Sequence, residues 1–281
     1  MAKIIKGQSF DEERALYGSS GVTVKQCRFE GPADGESAFK ESRDIEAEEC
    51  YFDLRYPFWQ VTGLKISGCE MTSLCRAALW YSHHIDICDT KMHGIKAVRE
   101  CSDINISGCS VISPEFGWFN KDIVMRDTSC ESEYFMMRSE RLNFENVKLK
   151  GKYSFQYITD SLFENCDLDT KDSFWHAKNV TVRNCRVKGE YLAWYCENVT
   201  FENCEIIGTQ PLCYCKDLKL INCRMLDTDL AFEKSDVDAM ILTPMISIKN
   251  PKSGIIRVSG VEEIIADDPE AKGEVIITGE C

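Results

Sequence analysis

The 281-residue chain has no apolar run near the roughly 18 residues that a membrane-spanning helix needs. No membrane partner is expected. Its opening, Met1-Ala-Lys-Ile-Ile-Lys-Gly-Gln-Ser-Phe10, lacks the apolar stretch of about 7–15 residues that marks a secretion signal. Positive charge is also short: 33 Lys+Arg stand against 46 Asp+Glu, a formal charge of -13. An acidic surface argues against broad affinity for nucleic acid, so no nucleic-acid partner is expected either. Gly-rich phosphate loops, a Gly-x-Ser-x-Gly elbow and Asp-rich calcium repeats are missing. Cys213 and Cys215 are spaced Cys-x-Cys, and no second pair with ligand spacing follows. Zinc is therefore not expected, nor any other metal or cofactor. His83-His84 lacks ligand spacing and reads as a surface bend.

Cysteine itself is abundant, at 16 residues. Without a secretion signal these read as free thiols in a reducing cytoplasm. Many of them mark a repeat. Val180-Thr-Val-Arg-Asn-Cys185, Val199-Thr-Phe-Glu-Asn-Cys204 and Leu218-Lys-Leu-Ile-Asn-Cys223 are nearly one phrase. The marker recurs at Cys50, Cys69, Thr90, Cys109, Thr128, Val147, Cys166, Cys185, Cys204 and Cys223. The steps are 19 residues, except 21 between Cys69 and Thr90. A fixed period near 20 means a solenoid.

Within a unit, apolar and polar residues alternate, which is the period of a strand. Asn precedes the marker at Asn146, Asn165, Asn184, Asn203 and Asn222, where a left-handed bend is expected. Gly94, Gly151, Gly189 and Gly208 mark the next bend. The expected fold is all-β: a parallel β-helix of about eleven coils with a 19-residue repeat. One domain spans 1–281. An N-terminal cap covers 1–21, regular coils run over 22–225, and irregular coils and a cap fill 226–281. Residues 9–17 are expected to form a short capping helix with Ser9 as N-cap.

Ten residues before the marker lie Trp59, Trp80, Trp118, Trp175 and Trp194, all five tryptophans. The same column holds Arg99, Met137, Gln156 and Cys213. The column one residue earlier is apolar, from Phe58 to Leu212, and is placed inward. The tryptophan column is then placed outward. Beside it run Tyr81, Glu100, Phe119, Arg138, Tyr157, His176, Tyr195 and Tyr214, with Lys171, Asp172 and Glu190 just before. An exposed ring strip threaded with charge suits a linear glycan. The alternative use of the same rings is packing, either under a loop or against a partner.

Asp172 and Glu190 fall at nearly the same place on adjacent coils, at a spacing suited to a glycosidase carboxylate pair. His176 is placed to share a proton with them. Substrate contacts are assigned to Trp59, Trp80, Arg99, Trp118, Arg138, Gln156, Lys171, Trp175, Trp194 and Tyr214. Arg99, Glu100, Glu115 and Arg138 form a second charged cluster, of a kind that would suit a lyase. The plain alternative for each charge is an inter-coil salt bridge.

The phrases Gly151-Lys-Tyr-Ser-Phe-Gln156, Thr170-Lys-Asp-Ser-Phe-Trp-His176, Gly189-Glu-Tyr-Leu-Ala-Trp194 and Gly208-Thr-Gln-Pro-Leu-Cys-Tyr214 carry a resemblance. So do Phe10-Asp-Glu-Glu-Arg-Ala-Leu16 and Gly35-Glu-Ser-Ala-Phe-Lys40. The chain resembles an uncharacterised bacterial family of single-domain β-helix proteins, similar in fold to the pectin-lyase-like superfamily. The resemblance implies a right-handed helix and leans toward carbohydrate, with no activity to carry over. The superfamily's lyase signature has no clear match here. The expected function is therefore binding of an oligosaccharide or polysaccharide along the Trp/Tyr face, with glycoside hydrolysis ahead of lyase chemistry. A binding-only module and a structural protein that forms homo-oligomers are the alternatives.

Overall fold

The computed structural model describes residues 3–279 and is all-β. The chain is a parallel β-helix of about 14 turns with a repeat near 19 residues, more turns than the marker phrase alone counts. The outermost residues of the expected caps, 1–2 and 280–281, lie outside the described residues. The chain divides into two compact units, Met1–Asn143 and Phe144–Cys281.

In the first unit the strands Lys3–Lys6, Ser20–Lys25, Arg43–Glu48, Thr62–Ser67, His83–Cys88, Ser102–Ser107 and Lys121–Arg126 pair in parallel, each with the next. In the second, Thr159–Glu164, Lys178–Arg183, Glu197–Glu202 and Lys216–Leu226 do the same. The 19-residue register is explicit in Val180↔Val199 and Val199↔Leu218. Alternation sets the faces, as Val180 and Val182 are buried while Lys178 and Asn179 are exposed. Rings stack from coil to coil, half-buried Phe10 on buried Phe29 and Phe29 on Phe52, at 5.0 and 4.8 Å in the first unit. Phe155–Phe174 stack at 4.8 Å in the second. Each buried side chain of this kind contributes roughly 1.5–3 kcal/mol by leaving water.

The bends follow the sequence. Asn146, Asn165, Asn184, Asn203 and Asn222 are all left-handed, with φ between 52 and 54°. Asn203 donates its amide to Asn184 at 3.3 Å, one rung of the expected ladder. At Gly189 the backbone of the coil below comes so close that a Cβ would sit 2.4 Å from the Thr170 carbonyl. The cysteine column has a polar reason. Its thiols accept the marker N–H of the coil below, as Cys50 does from Cys27 at 3.4 Å and Cys185 from Cys166 at 3.2 Å. They also face carbonyls, as Cys69 faces that of Ala47 at 3.4 Å. Thr90 and Thr128 accept in the same way from Cys69 and Cys109. A small side chain that both donates and accepts is what this buried bend requires.

One expectation changes. Residues 9–17 are not a helix. Ser9–Phe10 is a strand paired with Arg28–Phe29. Beyond it, the N–H groups of Arg14, Leu16 and Gly18 donate to carbonyls of Glu36, Ala38 and Lys40 in the next coil. A helix would have spent those donors internally, whereas a coil uses them on its neighbour. After Met225, Asp236–Lys249 pairs in parallel with Lys216–Leu226, with a register shift at Leu220/Cys223, and with Ser253–Ile265, with a register shift at Ile241/Pro244.

Candidate functional site

The third side of the coils carries the tryptophan column; Leu79–Trp80 and Val98–Arg99 pair there as short parallel strands in the first unit, whereas the second unit departs from extended backbone. The residues on either side of each tryptophan in the second unit are left-handed: Phe174 and His176, then Ala193 and Tyr195, with φ of 55–59°. This sets three depths. Phe174, Ala193 and Leu212 are fully buried. Trp175 and Trp194 are half-buried and lie along the surface, while His176 and Tyr195 stand exposed. A plain strand would have turned the column after the tryptophans inward. Left-handed backbone turns it out, and no sequence alternation signals that.

In the second unit the rings form two adjoining rows. Tyr157, His176, Tyr195 and Tyr214 stack face to face at 4.8, 5.0 and 4.9 Å, within 8–13° of parallel. Trp175 and Trp194 stack at 5.4 Å and 4°. Tyr214 closes against Trp194 edge-on at 5.5 Å, and its hydroxyl donates to Glu233 at 3.2 Å. Burial, then the charge and hydrogen bond of Glu233, push the Tyr214 phenol up to about 12. The indole N–H groups are already used. Trp175 donates to the Tyr191 carbonyl and Trp194 to that of Gln210, both at 2.7 Å. Gln156 replaces tryptophan in this column and makes the same bond, its amide donating to the Asp172 carbonyl at 3.0 Å.

Asp172 is half-buried and left-handed, and its N–H donates to the Glu190 carbonyl at 2.9 Å. Burial raises its carboxyl above the usual range, Lys171 opposes this, and Glu190 adds to it. The two carboxylates thus feel each other across adjacent coils, with exposed Lys171 beside them. His176 takes its place in the ring stack, between Tyr157 and Tyr195.

In the first unit the rings are more loosely arranged and interleaved with cations. Trp59 meets Trp80 edge-on at 5.9 Å, and Lys40 lies 5.3 Å from the Trp59 ring centre. Arg99 is held over three rings, those of Trp80, Trp118 and Phe119, at 5.2–5.7 Å. Trp80 and Trp118 donate to the Lys96 and Tyr134 carbonyls. The second charged cluster is divided among pairs: Arg99 with Glu100 at 3.3 Å and Lys96 with Glu115 at 3.2 Å. Arg138 is exposed and left-handed in the column that holds Phe119.

A second hydrogen-bonded column, unnoticed in the sequence, lies two residues beyond the tryptophans. The Val61 N–H donates to Ser82, that of Ser82 to Cys101, that of Cys101 to Asn120 and that of Asn120 to Ser139. The varied residue types hide it, although all of them accept hydrogen bonds. Among the described residues no group of three or more His, Cys, Asp or Glu is placed to hold a metal ion. No helix there is long and apolar enough to cross a membrane.

Coil register and stacked columns define a parallel β-helix protein. The chain belongs to the family described as protein of unknown function (DUF3737), whose profile matches residues 3–278. No curated protein sequence matches it. Among solved structures, a double mutant of the tailspike protein of E. coli bacteriophage HK620 is similar at 9% identity and a TM-score of 0.48, over 92% of this chain. The chain spans 60% of that tailspike's length. An alginate lyase from Paenibacillus sp. str. FPU-7 is similar at 8% identity and a TM-score of 0.32, over 100% of both chains. The catalytic domain of a GH87 α-1,3-glucanase, in complex with tetrasaccharides, is similar at 10% identity and a TM-score of 0.28, over 98% of this chain and 64% of its own.

Proposed function

We propose that the chain binds an oligosaccharide along the exposed ring column beside its tryptophans, and that Asp172 and Glu190 hydrolyse a sugar lying across them. The carrying observation is the row Tyr157, His176, Tyr195 and Tyr214. Stacked rings cover one another's faces and present their edges. Each edge here bears a phenol hydroxyl or an imidazole nitrogen, repeated once per coil. A regular row of polar handles matches a polymer with repeating hydroxyls better than a single small molecule. Recognition on this reading is by hydrogen bonds and ring edges. Burial holds a proton on Asp172 to higher pH, which suits a general acid, while exposed Glu190 serves as its partner. The proposed setting is the cytoplasm, where so many thiols stay reduced.

The test is a thermal-shift series with neutral and acidic oligosaccharides on wild type, Tyr195→Ala and Trp175→Ala. A ligand that binds only the folded state raises the melting point with concentration. A rise in wild type that is lost in Tyr195→Ala supports the site. No rise with any sugar removes the reading. The assembly alternative would then stand or fall on sedimentation: a dimer that Trp118→Arg splits would support it.

A further inference from the structure

The first unit carries a second chemical cluster, on its long sheet and two positions beyond the ring column. His83, Ser102 and Lys121 are direct partners on three adjacent parallel strands. The His83 Nδ1 and the Ser102 hydroxyl are 2.8 Å apart. Lys121 lies on the other side of Ser102, its ammonium fixed by Glu140 at 2.6 Å. These three residues line one open groove of about 520 Å³ together with Arg99, Glu100 and Phe119. That is the size of a small-molecule site.

From this geometry we infer that Ser102 and His83 form a nucleophile–base pair for hydrolysis of short-chain carboxylic esters in that groove. The Ser102 oxygen attacks the ester carbonyl carbon while its proton passes to His83. A tetrahedral adduct forms, the carbon–alkoxy bond breaks, and His83 returns the proton to the departing alcohol. Water, deprotonated by His83, then attacks the acyl-serine and releases the carboxylic acid and free Ser102. The charge on the adduct needs donors. The backbone cannot supply them, because the Ser102 and Lys121 N–H groups already donate to the Ser82 and Cys101 carbonyls. Arg99 and Lys121 are the cations that line the groove, and they take this role. Phe119, 40% exposed, forms an apolar wall and fits a short acyl group. Arg99 and Glu100 fit a hydroxylated alcohol portion.

This inference does not depend on glycan binding, and its test uses no glycan and no variant of the ring column. The full chain is given p-nitrophenyl acetate and, separately, a fluorophosphonate probe. Wild type is expected to release p-nitrophenolate with turnover and to carry the probe on Ser102. Ser102→Ala should lose labelling and slow hydrolysis about 100-fold, and His83→Ala should do nearly the same. Lys121→Met should slow the reaction while leaving the probe site unchanged. Ser102 sits at a strand end on the surface, so circular dichroism should show all three variants folded. Hydrolysis equal in wild type and Ser102→Ala, or no probe on Ser102, overturns the inference.

Discussion

Asp172 holds two opposed properties in one side chain. Its folded carboxyl takes up a proton more readily than the same group in the unfolded chain. Between the two pKa values the native state therefore binds more protons, and stability falls as pH rises through that window. Above that window, ionised Asp172 thus costs stability. Asn keeps the shape, carries no charge and favours the left-handed backbone found there. Asp172→Asn should raise the melting point at pH 7 by about 1–3 °C, as read by calorimetry, and abolish any sugar hydrolysis while sparing binding. The gain should shrink as pH falls and the wild-type carboxyl protonates. The marker cysteines make a different residue-level point. Cys185 accepts the Cys166 N–H within a buried bend. Cys185→Ser keeps that acceptor and should be nearly neutral, whereas Cys185→Val should lower stability by about 1–3 kcal/mol, measured as a lower urea midpoint.

At the scale of the coil, four of the tryptophans act as clips. The N–H groups of Trp80, Trp118, Trp175 and Trp194 each reach the main chain of the coil above. Trp194→Phe preserves ring contact and removes one hydrogen bond, so it should cost about 0.5–1.5 kcal/mol. Trp194→Ala also removes the stack on Trp175 and should cost about 3–5 kcal/mol, the two variants being compared by urea denaturation. Gln156 makes the same bond, so the clip is shared by Trp80, Trp118, Gln156, Trp175 and Trp194. It also explains why both tryptophan and glutamine occur there. The exposed neighbours of the clip are then available for binding without loss of the fold. Gly189 marks the limit of tolerance in the same coil: its φ of 151° and its approach to Thr170 leave no room for a side chain.

At the scale of the molecule, the buried thiols set an alkaline limit. Burial pushes Cys75, Cys101 and Cys213 up to about 12. Unfolded thiols ionise near pH 8.5, so between about 8.5 and 12 the folded chain holds the extra protons. Stability is complete below that window and falls as pH rises through it, by up to about 1.4 kcal/mol per pH unit for each such thiol. Under reducing conditions the urea midpoint should be clearly lower at pH 10.5 than at pH 7.5. An unchanged midpoint would mean that the thiols ionise inside the fold.

The 19-residue marker phrase by itself determined the parallel β-helix, its inward columns and its left-handed Asn bends. A solenoid repeats one short physical problem, so each solution recurs in print. Val180, Val199 and Leu218 needed only alternation to be placed, and the tryptophans needed only their distance from the marker. What the tertiary structure decided arises between coils. Residues 9–17 read as a helix because local pattern carries no account of where backbone donors go, and only the coil at 36–40 shows that they leave the segment. The outward turn of Tyr157, His176, Tyr195 and Tyr214 depends on left-handed backbone in non-glycine residues, a conformation that stacking stabilises and composition does not mark. His83 and Ser102 are 19 positions apart and share no motif; the coil register alone brings them to 2.8 Å. Chemistry in such a fold is written down the columns, and a column exists only once the coils are stacked.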